Sequence, residues 1–270
     1  MAVKLKLASY NIQDGIYEDL IIQNVHRMVS EGVDIFCLQE TRIIKPNFII
    51  DRLKAELGDE WQGEYFLGVD NPRLEVGLTI LWKSVKLNLQ ELDKFFLPKL
   101  NYVGLYDHFI TSVFTPAQRG AMIATFDING TIVRITNLHL DFKNGAARRR
   151  SQVEYLVDHL SKNPVLHEII CGDFNTSVKN GTSKNQKNWI GQSLQNEFVD
   201  AFPDLKWTFD GASIDPTRFF SGIHKLLLRL GVRFYRKLDY IFLKNINLTN
   251  AKMEQLKGSD HYPLVITFEV

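Results

Sequence analysis

Residues 121–140 read AMIATFDINGTIVRITNLHL and contain the clearest short-range fold signal of the chain. Two apolar runs, Ala121–Asp127 and Thr131–Leu138, flank Asn129 and Gly130, and an Asn-Gly pair between apolar runs is the strongest short signal of a β-hairpin. In the segment that follows, Ala146–Leu160, apolar residues recur at helical spacing. We therefore predict a hairpin that ends at His139, followed by a helix.

Further strands and helices are predicted on both sides of this hairpin. Val3–Ser9 alternates apolar with polar residues, as a strand with one buried face does. The remaining predicted strands are Asp34–Gln39, Gly77–Trp82, Val85–Leu89, Val165–Cys171, Leu238–Leu243 and Leu264–Val270, and the remaining helices are Leu20–Val29 and Phe48–Leu57. Strands outnumber helices, and we find no internal repeat. We therefore predict one α+β domain over residues 1–270, with two sheets packed together.

Composition and charge narrow the class of protein. The chain has 270 residues, is 45% hydrophobic and carries a formal net charge of +1, so any basic patch must be local. Cys37 and Cys171 lie in apolar, strand-like runs, which favours two reduced packing residues over a disulfide. Met1–Tyr10 lacks a long apolar stretch, and no run is long enough to span a bilayer. We expect a cytoplasmic monomer without stable membrane association or an obligate protein partner.

Polar residues able to bind a metal or a phosphate recur at the ends of the predicted strands. Side chains at strand ends around one rim of a sheet can converge on one cleft, although they are far apart in the chain. The residues in question are Asn11, Glu40, His139, Asp173, Asn175, Asp239, Asp260 and His261. Each has a plainer explanation when taken singly, because a strand-end Glu is usually solvated and Gly-Asp-x-Asn is often a turn. Their number and order favour a shared site.

Hydrolysis of a phosphate ester would use these residue types. It needs a cation to offset the charge on the non-bridging oxygens, a base to activate water, and donors for the transition state. Glu40 supplies a hard oxygen ligand suited to Mg²⁺. Asp173 is a candidate base, and His139 and His261 are candidate phosphate donors. An acidic partner such as Asp239 would keep His261 charged and oriented.

The ordered series YNIQ, LQET, RGAMIA, TNLHL, GDFN, KLDYIFL and SDHYPL resembles the endonuclease/exonuclease/phosphatase superfamily of DNase I-like phosphoesterases. The resemblance runs from Asn11 to His261, which is nearly the whole chain. It implies an α/β (α+β) fold, a four-layer αββα sandwich in which two packed mixed β-sheets are flanked by helices. It also implies a Mg²⁺-dependent hydrolase, with Mn²⁺ as a possible substitute, whose site lies at one rim of the sheets.

The same resemblance implies the residues around the metal. Glu40 would be the principal ligand, with Asn11 and Asp260 helping to bind or orient the ion, and Arg119 would support the site from the start of the hairpin strand. Some nuclease members carry an acidic residue where this chain has Gln13. The loss of that carboxylate would lower metal affinity or change the number of ions held.

Roles in the chemical step are implied in the same way. Asp173 would be the base that activates water, and Asn175 would steady it and the transition state. His139 and His261 would contact the scissile phosphate, and Asp239 would pair with His261.

The segment Arg218–Lys237 is the main evidence on the substrate. It holds basic and aromatic residues and no acidic residue; these are Arg218, Lys225, Arg229, Arg233, Arg236 and Lys237 with Phe219, Phe220, Phe234 and Tyr235. This mixture suits a phosphate backbone with stackable bases. The simpler interpretation is a helix with a solvated basic face, and contact with an anionic membrane is a third.

We expect a nucleic acid substrate, DNA before RNA. A phospholipid or a small phosphomonoester is the alternative, and a non-catalytic binding module is a remote one. The three arginines at 148–150 open a helix, where positive charge opposes the helix dipole. Their position just after His139 would allow them to face a phosphate, but the simpler expectation is that they face solvent.

Overall fold

The computed structural model describes residues 2–42, 49–67, 76–99, 118–141, 145–176, 193–194, 197–211 and 235–270, with backbone only at 145–148. In chain order its elements are β1 (Lys4–Asn11), α1 (Glu18–Ser30), β2 (Ile35–Arg42), α2 (Ile49–Leu57), β3 (Trp61–Phe66), β4 (Val76–Lys83), β5 (Asn88–Phe96), β6 (Gly120–Ile128), β7 (Thr131–His139), α3 (Gly145–Ser161), β8 (His167–Asp173), β9 (Val199–Asp200), β10 (Phe209–Asp210), β11 (Tyr235–Arg236), β12 (Asp239–Lys244), β13 (Asn247–Met253) and β14 (Leu264–Glu269). A short 3-10 turn at Gln13–Gly15 follows β1.

Two six-stranded sheets form the body of the described chain. The first has the strand order β13-β14-β1-β2-β4-β3, and the second has the order β5-β6-β7-β8-β12-β9. Each contains one parallel pair, β1 with β2 and β7 with β8, among antiparallel neighbours. Both sheets are therefore mixed, as predicted.

Alternation along the strands explains why the sheets are layered. In β1, Leu5 and Leu7 pack into the core between the two sheets, and Ala8 and Tyr10 pack into a second cluster with α1 and α2. A third cluster joins α3 to the outer face of the second sheet. Burying a large apolar side chain stabilises a fold by about 1.5–3 kcal/mol, so two-sided burial favours helices on both outer faces. The predicted four-layer αββα sandwich is confirmed.

The hairpin forms as the sequence indicates. β6 pairs with β7 up to Ile128 and Thr131, so the turn consists of two residues. Asn129 and Gly130 both have positive φ, 51° and 87°, which is the requirement of the tight turn that matches strand twist. Within the described residues, no helix has the length and apolar character that a membrane span requires.

The edge strands differ most from prediction. The predicted strand Val85–Leu89 is wrong in its position, because the N–H groups of Lys86 and Leu87 both bond to the carbonyl of Lys83 and close a turn. The strand begins only at Asn88. β3 and β13 were not predicted at all, since edge strands bury one face partly and carry polar residues that hide the alternation.

Candidate functional site

The polar residues at the strand ends meet at one rim, where the two sheets approach each other. β12 runs antiparallel to β8, so Asp239 at its start lies opposite Asp173 at the end of β8. The loop before β14 reaches the same rim because β14 is antiparallel to β1. The residues connected there by contacts or charge are Asn11, Glu40, Arg119, His139, Asp173, Asn175, Asp239, Asp260 and His261.

Asp173 is the centre of this cluster and is 2% exposed. Its Oδ2 accepts a hydrogen bond from Nδ2 of Asn11 at 3.1 Å and lies 3.5 Å from Nε2 of His139 and 3.9 Å from Nε2 of His261. Its Oδ1 accepts the backbone N–H of Asn175 at 2.7 Å. Burial raises the pKa of Asp173 to about 7, against the opposing charge of His261. A carboxylate with a pKa near neutrality is suited to accept a proton from water.

His261 is held in its charged form by the acidic groups around it. Nδ1 of His261 and Oδ2 of Asp239 are 2.8 Å apart, and Thr208 Oγ1 donates to the same Oδ2 at 2.6 Å. Burial alone would lower the pKa of His261, but the charge and hydrogen bond of Asp239, with Asp173 and Asp260, raise it well above its usual range. His261 therefore presents a charged Nε2–H to the rim.

His139, in contrast, is neutral. Nη1 of Arg119 lies 3.3 Å from Nδ1 of His139, and a guanidinium can only donate, so Nδ1 is the acceptor and Nε2 carries the proton. Burial and the charges of Arg119 and His261 lower the pKa of His139 well below its usual range. The neutral ring directs Nε2–H toward Asp173 and toward Oε1 of Glu40, which is 3.9 Å away.

Glu40 lies at a β-bulge within β2. The pairing of β2 with β4 shifts register between Gln39 and Thr41, and Glu40 has a φ of +54°. This conformation is costly for a residue with a side chain and is common at functional sites. Partial burial and the charges of Asp14 and Asp260 raise the pKa of Glu40 to about 8. The carboxylates around Glu40 thus concentrate negative charge at the rim.

This donor set fits a divalent cation. Ligand atoms of Glu40, His139 and Asp173 lie within 4.8 Å of one another. Mg²⁺ prefers oxygen ligands and binds through a few carboxylates. The carboxylates of Glu40 and Asp173 belong to this group, and the charge of Asp260 acts on Glu40. Asn11 contacts Asp173 through Nδ2, and its Oδ1 accepts the backbone N–H of residue 13 at 3.0 Å. A bound cation would relieve the repulsion that raises the pKa of Glu40.

Asn175 supports Asp173 through its backbone. Its side-chain Nδ2 instead donates to the carbonyl of Leu140 at 2.9 Å, and its φ is +49°. This contact ties the loop after β8 to the loop after β7, so Asp173 and His139 are held by connected segments.

Three residues near the site were not predicted from the sequence. Thr208 accepts the N–H groups of Leu238 and Asp239, so it anchors the strand that carries Asp239, and only its place in the WTF stretch could have drawn notice. Asp14 lies in the turn after β1, and its negative charge raises the pKa of Glu40. Arg149 is 5% exposed, with Nη1 3.4 Å from the carbonyl of residue 141.

The expectation of solvent-facing arginines at 148–150 is therefore wrong for Arg149. Its burial follows from its place on α3, three residues before the buried Gln152, whose Oε1 accepts the N–H of Asp141. Arg150 is exposed and pairs with Glu154 at 2.6 Å. The side chain of residue 148 is outside the described part.

The basic segment Arg218–Lys237 lies mostly outside the described residues, which resume at 235. Lys237 is fully buried, forms an ion pair with Asp200 at 2.7 Å and donates to the carbonyl of Phe202 at 2.6 Å. It anchors the start of β12, and its full burial contradicts the expectation that Lys237 contacts a phosphate backbone. Arg236 is exposed.

Half-buried aromatic rings continue from His261 along the rim. The rings of Phe209 and His261 are 5.1 Å apart in an edge arrangement. Trp207 lies 4.9 Å from Tyr235 and 5.2 Å from Tyr262. Partly exposed rings of this kind provide flat apolar surface next to the charged site.

Comparison with known proteins places this geometry in context. A sequence model of the Endonuclease/Exonuclease/phosphatase family matches residues 8–261. A UPF0294 protein of Vibrio vulnificus strain CMCP6 is 26% identical over 266 residues, covering 91% of this chain and 71% of the relative.

Solved structures share the fold over the full length. An endonuclease/exonuclease/phosphatase from Bacteroides vulgatus has a TM-score of 0.70 at 18% identity, with 99% of each chain covered. TDP2 from D. rerio in complex with a single-strand DNA product has a TM-score of 0.69 at 16% identity, with 99% of each chain covered. ANGEL2, a 2',3'-cyclic phosphatase in complex with adenosine-2',3'-vanadate, has a TM-score of 0.67 at 15% identity, covering 100% of this chain and 96% of that one.

Proposed function

Because the chain belongs to the endonuclease/exonuclease/phosphatase family, we propose that it is a metal-dependent phosphodiesterase that hydrolyses a P–O bond of a nucleic acid. The observation that carries the proposal is the surrounding of Asp173. A buried carboxylate with a pKa of about 7 has two histidine Nε2 atoms at 3.5 and 3.9 Å, one on a neutral ring and one on a charged ring. This combination offers a base and two N–H donors at one point.

Glu40 and Asp260 are the residues that would hold a Mg²⁺ or Mn²⁺ ion, with Asn11 beside them. When bound, the ion offsets charge on the non-bridging oxygens of the phosphate. Besides burial, the charges of Asp14 and Asp260 raise the pKa of Glu40, and carboxylates crowded in this way favour cation binding.

In the proposed step, Asp173 accepts a proton from water as the water oxygen bonds to phosphorus. The ester P–O bond opposite the attacking oxygen breaks, and the electron pair leaves with the ester oxygen. His261 and His139 donate their Nε2–H groups to the phosphate oxygens, where charge accumulates in the transition state. Asp239 keeps His261 charged and oriented throughout.

A nucleic acid is the proposed substrate class, DNA before RNA. The aromatic rings of Phe209, Trp207, Tyr235 and Tyr262 extend from His261 and suit the stacking of unpaired bases. Exposed Arg236 lies in the same strand as Tyr235. The structural similarity to TDP2 in complex with single-strand DNA supports the same class.

A small phosphoester or a phospholipid is the alternative. The structural similarity to ANGEL2, a 2',3'-cyclic phosphatase, favours a small cyclic ester. The two substrate classes differ in their use of the aromatic rings. A nucleic acid would stack its bases on them, whereas a small ester would contact only the charged site.

The test is a hydrolysis screen with Mg²⁺, Mn²⁺ or excess EDTA. Substrates are single-stranded, duplex, abasic and 5′-blocked DNA, RNA, a 2',3'-cyclic nucleotide, sphingomyelin and phosphoinositides, and Asp173→Asn is the control for contaminating activity. We expect metal-dependent cleavage of an oligonucleotide by the wild type only. Cleavage that persists in EDTA, or that is equal in the variant, would refute the proposal. Cleavage of small esters or lipids alone would move the substrate to the alternative.

A further inference from the structure

Two buried amide side chains, Gln39 and Asn137, connect the two sheets beneath the site. Gln39 directly precedes Glu40 in β2 of the first sheet, and Asn137 lies two residues before His139 in β7 of the second. Nε2 of Gln39 donates to Oδ1 of Asn137 at 2.7 Å, and both residues are fully buried. The proposed chemical step uses neither of them.

Asn137 also grips the backbone of the opposite sheet. Its Nδ2 donates to the carbonyls of Leu38 and Thr79, each at 2.9 Å. These two residues are directly paired across β2 and β4, one position before Gln39 and Leu78, the last regular pair ahead of the bulge that carries Glu40. On the far side of the bulge, Thr41 Oγ1 accepts a hydrogen bond from Thr79 Oγ1 at 3.1 Å. The bulge is thus held from both sides.

Apolar packing alone would not fix the relative position of the sheets here. The strand partners of Asn137 and Gln39 include Cys171 and Leu78, and most of the core between the sheets is apolar, although Gln39 Nε2 also donates to Ser9 Oγ at 3.3 Å. Burial of apolar surface is non-directional, whereas buried hydrogen bonds specify one arrangement, and the Asn137 amide uses both its oxygen and its nitrogen in such bonds. The hydrogen bonds of the amide pair therefore set the position of one sheet relative to the other, which apolar packing does not.

The site depends on that arrangement because its two halves lie on different sheets. Glu40 is on the first sheet, and Asp173 and His139 are on the second. A misplacement of about 1 Å in a reactive geometry can cost a hundredfold in rate. We infer that Asn137, acting with Gln39, is a positioning residue that holds Glu40 opposite Asp173 and His139. This inference deepens the proposed function and rests on it for its catalytic meaning.

The test compares Asn137→Leu with a matched control at the other end of the same strand. Arg134 is also buried on β7 and pairs with Glu168 at 2.6 Å, far from the rim, so Arg134→Met disturbs buried polar contacts without reaching the site. The readouts are the Mn²⁺ dissociation constant, measured by electron paramagnetic resonance on folded protein, and hydrolysis of the best wild-type substrate. We expect Asn137→Leu to weaken Mn²⁺ binding by roughly 10- to 100-fold, the usual effect of losing a residue that orients a metal ligand. Arg134→Met should keep the wild-type dissociation constant.

A second variant separates positioning from stability. In Gln39→Met/Asn137→Leu both amides become apolar, so much of the melting temperature lost in Asn137→Leu should return. Mn²⁺ affinity should stay low, because the cross-sheet hydrogen bonds are still missing. Recovery of affinity together with stability would overturn the inference, as would unchanged affinity in folded Asn137→Leu or an equal loss in Arg134→Met.

Two further outcomes also decide between the possibilities, a variant that does not fold and a wild type without hydrolytic activity. If Asn137→Leu does not fold, Asn137→Ser takes its place under the same criteria, since a serine hydroxyl is too short to reach both carbonyls. If the wild type binds Mn²⁺ but hydrolyses no phosphoester, the proposed function fails, while the Mn²⁺ dissociation constants still decide whether Asn137 positions Glu40.

Discussion

Arg119 donates to Nδ1 of His139 at 3.3 Å, and burial together with the charge of Arg119 gives His139 a different charge state from His261. His139 is neutral beside a cation, and His261 is charged beside Asp239. Both nevertheless present an Nε2–H to Asp173. The site therefore has two N–H donors while keeping only one positive ring next to its base.

The charge of His261 should depend on Asp239. In metal-free Asp239→Asn, the loss of the negative charge should lower the pKa of His261. The titration of the imidazole nitrogens by NMR measures this directly. Turnover should then fall at a lower pH than in the wild type, because a deprotonated His261 no longer presents a charged donor. An unchanged titration would mean that Asp173 and Asp260 hold the proton on His261 without Asp239.

Removing the charge of the base should reduce turnover strongly and leave substrate binding largely unchanged. Asp173→Asn should reduce turnover by roughly 10²- to 10⁴-fold, the range for a general base, while substrate affinity persists. His261→Ala should be comparably severe, and Asp239→Asn should be milder. Single-turnover rates and equilibrium binding separate the two effects. A loss of only a few-fold in Asp173→Asn would assign the base elsewhere.

Glu40→Gln should weaken the metal site and stabilise the metal-free fold. The folded-state pKa of Glu40, about 8, lies above its unfolded value, so ionised Glu40 is unfavourable in the fold. That penalty grows as pH rises from the unfolded pKa toward 8, and glutamine avoids it. At pH 8 without metal, the melting temperature of the variant should equal or exceed that of the wild type. Saturating Mg²⁺ should stabilise the wild type more than the variant, and equal stabilisation of both would contradict the assigned ligand.

Gly172, the residue before Asp173, should not accept a side chain. Its φ is +137°, and a Cβ there would lie 2.0 Å from the carbonyl oxygen of Leu138. Gly172→Ala should destabilise the fold by roughly 2–6 kcal/mol, the sum of backbone strain and overpacking. Gly130→Ala is the matched control, because its φ is +87° but nothing lies within 4 Å of the added Cβ. Chemical denaturation of both should show a clearly larger loss at 172, and similar losses would mean that strand β7 yields easily.

The nucleic acid proposal predicts strong salt dependence of binding. Each phosphate contact should add a slope of roughly −0.7 to −0.9 to the plot of log affinity against log salt. Replacing Arg229, Arg233 and Arg236 with alanine should flatten that slope, although only the last lies in the described chain. Arg27→Ala, an exposed residue of α1 paired with Glu31, is the control. A slope that the triple variant leaves unchanged, or a slope near zero, would favour a small substrate.

Local patterns predicted the strands, the helices, two packed sheets and most of the candidate residues, whereas the four-layer order and the residue roles were implied by the family resemblance. The hairpin at 120–139, the buried strands and the helices arise from alternation, helical spacing and turn residues within short stretches. Edge strands such as β13 escaped because partial burial leaves no clear alternation. The candidate residues could be found because each stands next to a recognisable strand, and strand ends are local features.

The sequence by itself thus determined the helices and the interior strands, their apolar faces and the polar residues at their ends. Only the tertiary structure decided what those residues are next to: that His139 accepts from Arg119, that Arg149 and Lys237 are buried, and that Asn137 bonds to the opposite sheet. The physical reason is that charge state and burial depend on partners far away in the chain. Asn11 and Asp173, which share a hydrogen bond, are 162 residues apart.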